Sequence, residues 1–278
     1  MARLLVALAL AAALAVPSAA AAAPATGYAL ARALAQAGPR PAASGAELRA
    51  HARVRSAFRA AGLRLGADTF TVPRHGRSRN VIGVHDTPAS CLDIVMAHAD
   101  TVAGTPGAED NASGVGVVAS LAARLKVIEP TCDVWLVATG AEERIFTGRP
   151  DHLGALALVR RVRALGRAGD LRLALSLDEV GRGTRMVLRS STLDPRRDVE
   201  RAVIGAAQGT GLSVAWERDA SAAGGNSDHR EFQMAGLPAA KLGVAAAPCR
   251  HTRCDGAGRL TRSTFPRVRR LVERVLTR

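Results

Sequence analysis

Five residues able to hold a metal ion, His98, Asp110, Glu143, Asp178 and His251, occur in that order, and most fall where an apolar, β-type run gives way to a loop. Imidazole nitrogen and carboxylate oxygen are donors that suit zinc. Asp110 offers two oxygens, enough to bridge a hydrolytic pair of cations roughly 3.5–4 Å apart. Gly107 and Gly114 flank it and leave room for close approach. Glu142 and Glu143 are adjacent carboxylates at the mouth of an apolar run, and such a pair repels unless cations or protons compensate. Neighbouring side chains on an extended backbone point to opposite sides. One of the two is therefore free to bind metal while the other takes a proton from a bound water. In His98-Ala99-Asp100, Asp100 is a candidate carboxylate for the second ring nitrogen of a metal-bound imidazole.

Each residue also has a plain structural role open to it. A His or Asp at a strand end serves in turns. Asp110, ahead of Asn111-Ala112-Ser113-Gly114, is placed to cap a helix. Glu142-Glu143 fits a solvated turn, Asp178 a polar strand terminus and His251 a surface loop. His51 and His75 sit among arginines, His85 ends a strand and His152 lies in a loop; none of these four receives a catalytic role.

Shared placement separates the five from ordinary polar residues. The runs 92–97, 134–138 and 171–177 read as buried strands that end at His98, at the loop 139–143 and at Asp178. In open α/β sheets, chemistry gathers outside the carboxyl ends of the strands. Apolar periodicity predicts helices over 44–61, from about 114 to 125, and over 153–165, 197–208, 228–235 and 262–277. Leu48, Val54, Phe58 and Leu63 are expected to be buried around the first. Further strands are expected at 69–72, 80–85, 185–189, 212–216 and 239–244, with a basic loop over 74–79. The alternating order predicts an α/β fold, a mixed, mostly parallel central sheet with helices on both faces.

The chain has 278 residues and no internal repeat or Pro/Ser-rich linker. Residues 1–23 carry Arg3, an apolar Leu/Ala/Val stretch, Pro17-Ser18 and several Ala-x-Ala sites, the pattern of a secretory signal peptide. Residues 24–278 are then expected to form one exported catalytic domain, with no membrane span after cleavage. Four cysteines in an exported chain read as disulfides; Cys91 with Cys132 and Cys249 with Cys254 is the preferred pairing of three. The formal net charge is +14, but the basic residues are spread along the chain and aromatics are only 3%. Base-stacking platforms are thus scarce and no nucleic-acid partner is expected.

The blocks His98-Ala99-Asp100, Asp110-Asn111-Ala112-Ser113-Gly114, Glu142-Glu143, Asp178 and His251-Thr252, in this order across 80–255, resemble the co-catalytic di-zinc aminopeptidases of metallopeptidase family twenty-eight, whose secreted bacterial members include leucine-type enzymes. The resemblance implies a zinc-dependent exopeptidase fold and two zinc ions per chain. His98 and Asp178 would hold one zinc, Glu143 and His251 the other, and Asp110 would bridge them. Glu142 would be the general base and Asp100 the partner of His98. The implied substrates are free N-termini of peptides or proteins, with Glu179 offered to the α-amine. Ser227-Asp228-His229 matches the block before the last ligand and is expected to be structural or pocket-lining.

Two positions depart from that pattern. Secreted relatives commonly have Tyr before the final His, where this chain has Arg250, and Arg before the Ser-Asp-His block, where it has Asn226; both are expected on the substrate side. The segment 144–150 also lacks the short apolar-Gly-Ser link of relatives. Two other functions share the scaffold: a single-zinc glutaminyl cyclase and an inactive basic binding protein. Asp110-Asn111-Ala112-Ser113-Gly114 favours the peptidase over the cyclase, and the intact ligand set with Glu142 argues against the binding protein.

Overall fold

Strand β3 (Leu92–His98) and strand β4 (Asp133–Thr139) are buried along their whole length, as expected of strands covered on both faces. Side chains alternate across β3: Val95 and Ala97 enter one apolar layer, Leu92, Ile94 and Met96 the other. The computed structural model describes residues 26–143, 151–190, 197–219 and 225–278. The expected signal peptide at 1–23 and the unusual 144–150 segment lie outside the described residues.

Around these two strands stand β1 (Arg64–Val72), β2 (Gly76–His85), β5 (Leu171–Leu177), β6 (Arg185–Ser190), β7 (Ser213–Arg218) and β8 (Ala239–Val244). The sheet order is β1-β2-β4-β3-β5-β8-β6-β7. The pairs β4/β3, β3/β5, β5/β8 and β6/β7 are parallel, whereas β1/β2, β2/β4 and β6/β8 are antiparallel. This is the expected mixed sheet.

One face is covered by α1 (Gly27–Gln36), α2 (Gly45–Ala60), α3 (Gly114–Ala122), the short α4 (Leu125–Ile128), α6 (Arg197–Ala207) and α8 (Thr264–Leu276). The other is covered by α5 (Leu153–Ala164) and α7 (His229–Met234). Val54, Phe58 and Leu63 are buried as expected, whereas Leu48 is only half-buried. Both expected disulfides form, Cys91 to Cys132 tying the starts of β3 and β4, and Cys249 to Cys254 closing the loop that carries His251.

Two expectations are corrected. The basic loop over 74–79 shrinks to a turn over 73–75, because Arg77 and Arg79 pair with Thr71 and Thr69 and extend the hairpin. The exposed face of an outer hairpin accommodates arginines that no buried strand would. Helix α1 was not anticipated from its Ala-rich sequence; it packs on α3 and on the irregular helical segment Ala108–Ser113.

Candidate metal centre

His98 at the end of β3, Glu142 and Glu143 just after β4, and Asp178 just after β5 leave adjacent parallel strands on one rim. Asp110 and His251 reach the same rim from loops. Nε2 of His98 is 3.1 Å from Oδ1 of Asp110 and 3.5 Å from Oδ1 of Asp178. Nε2 of His251 is 3.2 Å from Oδ2 of Asp110 and 3.1 Å from Oε2 of Glu143. Two groups of metal-ligand geometry, His98/Asp110/Asp178 and Asp110/Glu143/His251, share Asp110, and a third, His98/Glu142/Glu143, overlaps both. One oxygen of Asp110 faces each of the first two.

These groups are packed for something other than one another. Oδ2 of Asp110, Oε1 of Glu143, Oδ1 of Asp178 and Nε2 of His251 are buried without a hydrogen-bond partner. Burying so many unsatisfied polar atoms costs several kcal/mol in total, and convergent nitrogen and oxygen donors fit zinc. The residues present therefore fit zinc. The Asp151, His152 and Glu231 carboxylate–imidazole group has comparable spacing, but Arg230 already reaches both of its acids, at 3.3 and 2.6 Å.

The surrounding residues hold this rim in place. Asp255 accepts the amides of Glu109 and Asp110 at 2.8 and 3.0 Å. Helix capping falls to Asn111, whose Oδ1 accepts the Gly114 amide at 2.9 Å, so the Asp110 carboxylate is released from that role. Gly114 abuts the Leu177 carbonyl and Gly107 abuts Thr101, with no space for a Cβ at either, and Gly107 also has φ +60°. Arg40 is fully buried and donates to the carbonyls of Ala99, Pro106 and Gly107 at 3.0, 2.7 and 2.9 Å, pinning the loop between His98 and Asp110.

The Asp100 carboxylate has a different first task from the one expected. It accepts the amides of Glu142 and Glu143, both at 3.1 Å. Nδ1 of His98 is 3.2 Å from the Asp100 backbone carbonyl and 3.8 Å from its carboxylate. The short link through Ala99 brings the main chain, rather than the side chain, of Asp100 nearest to the ring. Glu47 supports the next residue along, accepting from the Ala141 amide at 3.1 Å and the Ser78 hydroxyl at 2.7 Å.

Electrostatics follow from burial and crowding. Burial, aided by Glu143 and Asp178 and opposed by His98, drives the Glu142 carboxyl well above its usual range. Burial and Asp110 raise Glu143 to about 6. Asp110 and Glu143 raise His251 to about 9. Burial disfavours charge on His98, but Glu142, Asp110 and Asp178 outweigh it and lift its pKa well above normal. Burial likewise opposes ionisation of Asp178, yet Lys241 and His98 hold it well below the usual carboxylate range.

Among the substrate-side expectations, Arg250 lies 3.5 Å from Asp110 and 3.7 Å from Glu179, while Asn226 lines a neighbouring cavity together with Glu179 and Arg250. Asp228 accepts from the Thr139 hydroxyl at 2.5 Å and His229 is 3.0 Å from Asp219; neither joins a ligand group. Four residues escaped sequence reasoning. His152 is buried, with Nε2 3.6 Å from Glu142 and Nδ1 3.0 Å from Glu231. Lys241, in the apolar run of β8, donates to Oδ2 of Asp178 at 2.6 Å. Arg40 carries no local signal. Glu47 does, standing three residues after the N-cap Ser44 in capping-box spacing.

Comparison with known proteins adds a family and a fold. The model of peptidase family M28 matches residues 80–276. The aminopeptidase YwaD of Bacillus subtilis is 29% identical over 173 residues, 59% of this chain and 35% of that protein. The alkaline phosphatase isozyme conversion protein of Escherichia coli is 31% identical over 129 residues, 41% of this chain and 35% of that protein. The chain therefore spans about a third of the length of these curated relatives. Among solved structures, a zinc aminopeptidase from Bacillus subtilis superposes with a TM-score of 0.76 at 18% identity, over 90% of this chain and 93% of that one. A glutaminyl cyclase from Bacteroides thetaiotaomicron also gives 0.76 at 18%, over 91% and 96%. Identities this low speak to the fold alone.

Proposed function

The chain belongs to peptidase family M28, and from that membership we propose that it is a zinc-dependent aminopeptidase using two zinc ions. The observation that carries this reading is Asp110, whose two oxygens face two separate groups of buried donors, several of them unpaired.

In this reading His98 and Asp178 would hold one zinc and Glu143 and His251 the other, with Asp110 in reach of both. Bound zinc lowers the pKa of water toward neutrality and polarises a carbonyl. Glu142 would accept the proton of the attacking water and return it to the leaving amine. Asp100 fixes Glu142 and Glu143 through their amides, so the base and a ligand keep a constant relation. His152 packs against Glu142 from the side. Glu179, with Oε1 buried and unpaired, receives the substrate's α-ammonium. Two disulfides support an exported protein, in keeping with the signal peptide expected at 1–23.

The test is hydrolysis of aminoacyl p-nitroanilides and their N-acetylated counterparts, with metal analysis, before and after chelation and zinc restoration. Zinc-restored release from free-amine substrates alone, at two zincs per chain, is the expected result. Pyroglutamate formation from N-terminal Gln by a one-zinc protein would overturn it.

A further inference from the structure

Beside the metal centre lies a cavity of about 410 Å³, within the roughly 300–1,000 Å³ of small-molecule sites. Its character is unusual for a site that accepts a greasy side chain. Its only apolar lining residues among those described are Val244, Ala245 and Ala247, none of them large. Three cations, Arg189, Lys241 and Arg250, face two acids, Glu179 and Asp219.

The two acids are held differently. Asp219 is engaged by His229 at 3.0 Å. Glu179 stands 3.8 Å from Lys241 and 3.7 Å from Arg250, and is the group available to a substrate α-ammonium. The cations are less fully used. Nε of Arg250 lies 3.5 Å from Asp110, itself in the ligand set, and 3.7 Å from Glu179, and makes no hydrogen bond to either. Among the described residues, Arg189 has just an exposed Glu217 at 3.4 Å. Lys241 is held by Asp178 at 2.6 Å, but Asp178 belongs to the ligand set and its charge is shared with metal. Once the α-ammonium takes Glu179, the cavity has a surplus of positive charge and little apolar surface. A leucine side chain gains little burial there, and a lysine side chain meets like charges in a partly desolvated space. A carboxylate gains charge-assisted hydrogen bonds from guanidinium groups.

We propose that this cavity selects peptides with an N-terminal Glu or Asp, with Arg189 and Lys241 as specificity-determining residues; the inference rests on the aminopeptidase reading above. The test compares kcat/KM of the zinc-loaded protein for Glu-, Asp-, Leu- and Lys-p-nitroanilide, then repeats it with Arg189→Met and Lys241→Met. The ratio of Glu to Leu turnover is the readout, because both substrates share one metal centre and a change in metal loading cancels. Glu or Asp is expected to exceed Leu and Lys at least tenfold, and either variant to cut that ratio severalfold. Faster release from Leu or Lys, or a ratio unmoved in both variants, would overturn the acidic specificity and leave the aminopeptidase intact. No release from any substrate would remove both readings.

Discussion

The two ends of the central strands carry buried charge in opposite ways. At the amino ends, Asp93 of β3 and Asp133 of β4 are buried, and all four of their oxygens are hydrogen-bonded. Arg172 donates to both oxygens of Asp93. The Thr87 amide takes one oxygen of Asp133 at 2.6 Å, and Arg167 takes the other at 3.1 Å. At the carboxyl ends, Asp110, Glu143 and Asp178 each retain a buried oxygen that makes no hydrogen bond. Burial of an acid is thus common to both rims, and satisfaction is what distinguishes them. A fully paired carboxylate belongs to the scaffold, and an unpaired one facing other donors is waiting for a ligand.

The largest effect that would break this comparison lies at the carboxyl rim. Glu142→Gln is expected to lower kcat by on the order of 10²–10⁴, the usual worth of a general base, while metal analysis still finds the wild-type zinc content. Loss of zinc along with turnover would move Glu142 into the ligand set. At the amino rim the outcome reverses. Asp93→Ala strands the Arg172 guanidinium, which is about a third exposed, and should cost about 2–3 kcal/mol, somewhat less than breaking a wholly buried pair. Denaturant unfolding measures that loss, and zinc content and turnover of the folded protein should be unchanged. A fall in zinc content would mean that the two rims are not independent.

A third, smaller effect sharpens the comparison, because it concerns a buried ionisable group near the carboxyl rim that is structural. His51 lies 3.3 Å from the Thr139 carbonyl, and burial holds its pKa down to about 4 against an ordinary 6.5. The unfolded chain therefore binds a proton below pH 6.5 that the folded chain refuses until about pH 4. Stability from this group is fully present above 6.5 and is lost as pH falls through that window, by about 2 kcal/mol at pH 5. Unfolding curves of wild type and His51→Gln between pH 7 and 5 should converge as pH falls. Parallel curves would show that His51 does not carry this acid sensitivity.

Order along the chain and apolar periodicity determined the sheet, most of the helices and which polar residues end strands, since continuous apolar runs leave few other folds open. Four of the five donors were legible for the same reason, each at or just past the end of such a run or in a Gly-flanked loop; His251 sits instead in a loop between two cysteines. Local pattern could not show who satisfies whom. That Asp100 clamps the amides of Glu142 and Glu143 and that Arg40 pins the intervening loop are contacts between residues distant in sequence. His152 and Lys241 were passed over because one sat in a loop and the other in an apolar strand; the fold gives each a carboxylate partner, 3.6 Å away in Glu142 and 2.6 Å away in Asp178. Sequence determined which groups could do chemistry, because residue type and strand position are local. Tertiary structure decided which of them were left unpaired, because desolvation and hydrogen-bond satisfaction depend on every element that packs around a group.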